Sequence, residues 1–278
     1  MSRRGFLTAT GGLALAATLH LDVLSGEAAA TSTALSALTV SIDPYASPQP
    51  QRIGVVLYRG AKPLAGPSVK VAFAPPGSNQ ATVVDAKLTK VGLPGGRGVY
   101  VTEPILDRPG DWNGVALVQG KRVGFVLAVK AAPEVAVIGT PAPRAASPTT
   151  TNPLGVNPIC TRDPVCPLHT ISLSDVIGTG MPVAAMFATP ALCQTATCGP
   201  VLDQLLTVRK AYVGRVAFVH VEIYQSNKGV ALSPTVAAWN LPGEPWLFTI
   251  DGTGIVRGRL DGAFGRDEVQ AQVAALIG

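Results

Sequence analysis

The most reactive side chains of this sequence are four cysteines, all in its C-terminal half: Cys160, Cys166, Cys193 and Cys198. They form two close pairs, Cys160 with Cys166 and Cys193 with Cys198. A close pair can run thiol–disulfide exchange, because a thiolate attacks a disulfide and a neighbouring thiol resolves the mixed species. It can equally be a permanent bridge or part of a metal site. Cys198 is followed by Gly199 and Pro200, and residues 200–212 read as a helix with Val201, Leu205, Leu206 and Val208 on or near one face. A cysteine at that helix start meets unsatisfied N–H groups and the positive end of the dipole, which favour a thiolate.

Cys160 and Cys166 flank Thr161-Arg162-Asp163-Pro164-Val165, just before His169. The reading taken is a local structural disulfide, a staple that a short Pro-containing loop can carry wherever the compartment is oxidising. The rival is a metal site on Cys160, Cys166 and His169, but the spacing matches no strong zinc pattern and no metal or other cofactor is expected. His220 lies inside an apolar strand beside Glu222 and reads as a satisfied strand histidine. A copper role for Cys193, Cys198 and His220 is the remaining metal option.

The elements around these residues fall into two halves. Residues 36–131 carry short β-branched-rich runs at 37–42, 53–58, 69–74, 98–102, 114–119 and 123–129, separated by Pro- and Gly-containing turns. That spacing argues for an all-β sandwich with no visible catalytic site. Residues 132–158 contain six prolines among Ala, Thr and Ser and read as an extended, semi-rigid linker. From 159 to 278 strands and helices alternate: strand 182–187, helix 200–212, strand 216–223, a helical region near 233–240, a hairpin 245–250 and 254–260 across Asp251-Gly252, and a helix 267–277 capped by Asp267.

This order, with Phe187-Ala188-Thr189-Pro190, Cys198-Gly199-Pro200 and Glu244-Pro245-Trp246, resembles the thioredoxin-like superfamily. The resemblance implies an α/β thioredoxin-like domain, a cis-proline at Pro245 facing Cys198, and a substrate groove formed by Gly199, Pro200, Glu244, Pro245 and Trp246. Val201 stands where the family's second cysteine would be, and Met186 near its buried acid, so Cys193 is the replacement partner. Thr189-Pro190-Ala191-Leu192-Cys193 followed by Cys198 also resembles one branch of the two-cysteine peroxiredoxins. The stretch Gly98-Val99-Tyr100 through Pro109-Gly110-Asp111-Trp112 resembles immunoglobulin-like domains of exported bacterial proteins.

The N-terminus opens Ser2-Arg3-Arg4-Gly5-Phe6-Leu7, continues through an uncharged run to Leu19 and closes on Ala28-Ala29-Ala30. It resembles a twin-arginine signal peptide over residues 1–30, which implies an extracytoplasmic protein without a stable membrane anchor after cleavage. The net charge of +5 is spread thinly, so nucleic-acid binding has little support. Three functions remain open. The leading one is an exported thiol–disulfide oxidoreductase using Cys193 and Cys198 on protein thiol or disulfide substrates. The second is a non-enzymatic protein with two structural bridges whose sandwich binds a cell-surface partner. The third is a thiol peroxidase with Cys193 attacking and Cys198 resolving.

Overall fold

The structure, a computed structural model, describes residues 34–92, 97–193 and 195–278. The signal-peptide reading of residues 1–30, and one of the Pro- and Gly-containing turns expected between first-half strands, Pro94-Gly95-Gly96, lie outside the described residues. Among the described residues the first half holds eight strands: β1 Leu35–Thr39, β2 Ile53–Arg59, β3 Lys62–Pro63, β4 Val69–Ala74, β5 Thr82–Lys90, β6 Gly98–Thr102, β7 Gly110–Val118 and β8 Lys121–Val129. The pairing order is β1-β2-β6-β5-β4-β7-β8, with β3 added to β2. β5 pairs with β4 through Thr82–Ala86 and with β6 through Lys87–Lys90, so it turns the corner between two layers. Ile53, Val55, Leu57, Val71, Phe73, Tyr100 and Trp112 fill the space between them. β5 was not expected from sequence, because its residues are mostly exposed or half-exposed and its apolar signal is weak.

The second half holds α1 Leu173–Val176, β9 Val183–Phe187, α2 Cys198–Arg209, β10 Ala217–Val221, α3 Pro234–Ala238, β11 Trp246–Ile250, β12 Val256–Asp261 and α4 Arg266–Ala274. The sheet order is β10-β9-β11-β12, with β10 parallel and β11 antiparallel to β9. This is the thioredoxin-like order expected from the sequence. Strand alternation divides the core into two layers. Val183, Ala185 and Phe187 of β9 join Val219 and Val221 of β10 and Trp246, Phe248 and Ile250 of β11 on one face. Ala184, Met186 and Ala188 join Phe218 and Leu247 on the other, under Val201, Leu202, Leu205 and Val208 of α2 and Val269 and Val273 of α4. His220 and Glu222, two and four residues beyond Phe218, fall on this second face by the same period of two.

Two local expectations need correction. The residue before α4 is Gly265, whose N–H donates to Glu268 Oε2 at 3.1 Å. Asp267 instead accepts from Thr89 Oγ1 and pairs with Lys87 at 3.1 Å, tying α4 to β5. The proline-rich stretch 132–158 does not cross open solvent. Val135 and Ala142 enter the core beside β9 and β11. Ala142 N–H donates to Gly254 O and Val256 N–H to Thr140 O, both at 2.9 Å, so the stretch covers the free edge of β12. Covering an edge satisfies its unpaired N–H and C=O groups.

The described residues fall in one compact unit, and polar contacts join its halves. Arg52 Nε lies 2.6 Å from Glu268 Oε1, and Arg52 Nη2 donates to Ala263 O at 2.7 Å. The Asp43 carboxylate is fully buried and accepts from Lys130 Nζ and Arg259 Nη2, each at 2.9 Å, and from Glu134 N–H. Arg259 also lies over the Trp246 ring at 4.9 Å. Asp43→Ala would leave Arg259 buried without its carboxylate. A loss of about 3 kcal/mol is expected, read from the urea midpoint at unchanged m-value. A loss below about 1 kcal/mol would mean that solvent replaces the carboxylate at this seam.

Candidate functional site

The loop between β9 and α2 folds back on itself through two turns, closed by Leu192 N–H to Thr189 O and Ala196 N–H to Cys193 O, each at 3.1 Å. Ala196 takes a left-handed conformation at φ 56°. That conformation costs an L-residue roughly 1–2 kcal/mol and is the kind of strain found at functional loops. The fold-back brings the Cα atoms of Cys193 and Cys198 to 5.9 Å, and the two sulfurs are joined as a disulfide.

The two cysteines have different surroundings. Cys198 is the first residue of α2 and has no exposed surface. Cys193 is half-buried in the loop. The Cys198 N–H, one of the free donors of the helix start, points to Cys193 Sγ at 3.3 Å. The sequence reading assigned the stabilisation by the helix start to Cys198; the structure delivers it to Cys193. The Thr195 hydroxyl stands 3.3 Å from the same sulfur.

Glu244 faces Cys198, its Oε2 at 3.4 Å from Cys198 Sγ, while Thr189 N–H donates to that same oxygen. Burial pushes the Glu244 carboxyl up to about 7, helped by Glu222, with the Thr189 N–H and His220 pulling the other way. The Glu244–Pro245 peptide is cis, as the sequence resemblance implied. Of the expected groove residues, Gly199, Pro200 and Glu244 are partly exposed, with Glu244 alone shown against a sulfur of the bridge, whereas Pro245 is buried. Trp246 is not a groove residue. It has no exposed surface, stacks on Phe248 with centroids 5.5 Å apart, and donates its Nε1–H to Gly243 O. Strand alternation sends it to the face opposite Cys198.

The second cysteine pair is not bonded. Cys160 and Cys166 are free and buried, their sulfurs 3.8 Å apart, so the expected structural disulfide is not formed. His169 and His220 close on them. Cys166 Sγ lies 3.3 Å from His169 Nε2 and 3.4 Å from His220 Nδ1. Cys160 Sγ lies 3.9 Å from His220 Nδ1, and the two ring nitrogens are 3.3 Å apart. The Cys166 thiol, through its hydrogen bond, draws the Cys160 thiol far below its usual range against burial, and the two imidazoles add to this. The same bond, with burial, holds the proton on Cys166. Burial alone would lower His220, but the Cys160 sulfur and the Glu222 carboxylate more than offset it and raise it. Glu222 is raised by burial, although His220 and the Thr161 N–H pull it down.

Thr161 links the two groups of cysteines. Its N–H donates to Glu222 Oε1 at 2.6 Å, and its hydroxyl accepts from Ala191 N–H at 3.2 Å, two residues before Cys193. Sequence reasoning missed the joint placement of His169 and His220 with Cys160 and Cys166. The available signal was the alternation Phe218, His220, Glu222 inside an otherwise apolar strand, which puts two polar groups on the Cys198 face.

No helix among the described residues is long and apolar enough to cross a membrane. No family model matches the chain, and no curated protein matches it. Seven solved chains are similar, three of them as follows. A protein of Chlorobium tepidum, described as a thiol:disulfide interchange protein DsbE, is 19% identical, with 51% of this chain and 99% of that chain covered and a TM-score of 0.37. A thioredoxin family thiol:disulfide interchange protein from Chlorobium tepidum TLS is 18% identical, covering 51% and 99% with a TM-score of 0.34. A thioredoxin-like superfamily protein is 19% identical, covering 39% and 86% with a TM-score of 0.29. The thioredoxin-like assignment stands on the strand order β10-β9-β11-β12, not on these likenesses.

Proposed function

We propose that this thioredoxin-like chain is an exported thiol–disulfide exchange protein that works through Cys193 and Cys198 on protein thiols or disulfides. The observation that carries the reading is the asymmetry of the bridged pair. One sulfur is reachable and held by a helix-start N–H, and the other is buried against a carboxyl that titrates near 7. In the oxidised form a substrate thiolate attacks Cys193 Sγ. The Cys193–Cys198 bond breaks, and Cys198 leaves as a thiolate that takes the Glu244 proton. A second substrate thiolate then attacks the substrate sulfur of the mixed disulfide and releases Cys193. The substrate gains one disulfide, and the protein ends with two reduced cysteines. The reverse sequence reduces a substrate disulfide.

The peroxidase alternative has less support. The Thr189 hydroxyl accepts Ile223 N–H at 2.9 Å and is bonded to Glu222, whereas the hydroxyls at Cys193 Sγ belong to Thr195 and Thr197. The strand order, β1-β2-β6-β5 turning into β4-β7-β8, supports reading the first half as an immunoglobulin-like sandwich. Export rests on Arg3-Arg4 and the Ala28-Ala29-Ala30 end.

Equilibration of the folded chain with glutathione buffers tests the exchange reading against a permanent structural bridge. A reduction potential above about −300 mV is expected, with the bridge opening in dithiothreitol while the protein stays folded. A bridge that opens only in denaturant would overturn the proposal.

A further inference from the structure

We infer that Cys160, Cys166, His169 and His220 form a closed tetrahedral site for a zinc-class divalent ion, which pins the loop before α1 onto β10. The inference rests on shape. Zinc–sulfur bonds of about 2.3 Å and zinc–nitrogen bonds of about 2.0–2.1 Å at tetrahedral angles set the edges of the ligand polyhedron. Those edges are about 3.8 Å between sulfurs, about 3.5 Å between sulfur and nitrogen, and about 3.3 Å between nitrogens. The observed sulfur–sulfur edge is 3.8 Å and the nitrogen–nitrogen edge 3.3 Å. Three sulfur–nitrogen edges are 3.3, 3.4 and 3.9 Å. The sixth, Cys160 to His169, is within 4.8 Å.

The surroundings suit ligands. His220 Nε2 is 2.9 Å from Ala188 O, so the ring donates there and turns the Nδ1 lone pair to the cluster. Anchoring the outer nitrogen to a carbonyl is how proteins orient a ligating imidazole. His169 Nδ1, by contrast, has no hydrogen-bond partner among the described residues. Both sulfurs accept backbone N–H groups, Cys160 from Cys166 at 3.5 Å and Cys166 from Leu168. All four residues are buried. Two thiolates and two neutral imidazoles around a divalent ion leave no net charge in that interior. A Cys₂His₂ set with no open position selects zinc and a structural role rather than a catalytic one.

The test is metal analysis of the full chain purified with thiol reductant and without chelator. About one zinc ion per chain is expected. Cobalt(II) should replace it and show the visible bands of a tetrahedral ion together with a thiolate charge-transfer band. Cys193→Ser/Cys198→Ser should keep both signals. Cys166→Ser and His220→Ala should each weaken cobalt binding by more than about 100-fold, beyond the loss usual for supporting residues. Zinc should suppress alkylation of Cys160 and Cys166 in the wild type, a readout that does not depend on either variant folding. Peptide mapping that finds a Cys160–Cys166 disulfide would overturn the inference. So would free Cys160 and Cys166 that alkylate equally fast with and without zinc, or an ion lost only from the Cys193/Cys198 variant.

Discussion

Cys193→Ser should reduce thiol–disulfide exchange to background, and Cys198→Ser should stall it as a mixed disulfide. The two outcomes differ because the sulfurs are placed differently. Cys193 is half-buried in a surface loop, whereas Cys198 has no exposed surface, so an incoming protein sulfur reaches Cys193 first. The N–H of Cys198 points at Cys193 Sγ from 3.3 Å and stabilises it as an attacking or leaving thiolate. With serine at 193 the attacking group is gone, and the buried thiol of Cys198 has no path to substrate. With serine at 198 the first attack proceeds, but nothing within reach displaces the substrate. One substrate molecule per chain should then accumulate, released by dithiothreitol. Mass spectrometry of the trapped species reads this directly. Trapping by Cys193→Ser instead would reverse the assigned roles.

Glu244→Gln should slow resolution of the mixed disulfide by about 100-fold at pH 8, the lower end of what a positioned acid–base group contributes. Its carboxylate is 3.4 Å from Cys198 Sγ and is the group placed to take that thiol's proton. Because burial holds it at about 7, the wild-type rate should climb as pH rises through 7 and the carboxyl ionises. In the variant this rise through pH 7 should be absent, because no carboxyl remains to accept the proton. The charged groups facing Glu244 are Glu222 and His220, which act on it in opposite directions. Stability should move the other way from rate. The folded chain holds this proton up to about pH 7, against a carboxyl's ordinary 4.5. The folded state therefore binds more protons between these values, and wild-type stability falls as pH rises across that window. Glutamine should flatten that segment of the curve. Identical rate and stability profiles in both proteins would remove Glu244 from the mechanism.

The core of the thioredoxin-like half was legible because each element carries its own period. β9 and β11 are short apolar runs between turns, and α2 repeats Val201, Leu205 and Val208 on one side. β5 was not legible, since a strand that turns a corner exposes much of both its faces and shows little apolar contrast. The role of 132–158 was hidden for another reason. Proline and alanine give no periodic signal, yet Thr140 and Ala142 find the open edge of β12, which exists only after folding.

By itself the sequence determined what depends on near neighbours: the alternation that orders strands and helices, the helix start at Cys198, and the nearness of Cys193 to it. Tertiary structure alone decided which sulfur receives the helix-start N–H, because that depends on the direction in which residues 189–197 turn back. It also decided that Cys160 and Cys166 meet His169 and His220. His220 is supplied by β10, far along the chain, and no local pattern encodes a contact made by pairing β10 beside β9 and closing a loop over its face. Long-range contacts of this kind are set by packing of the whole core, whereas spacing and periodicity report only on segments that the chain keeps close.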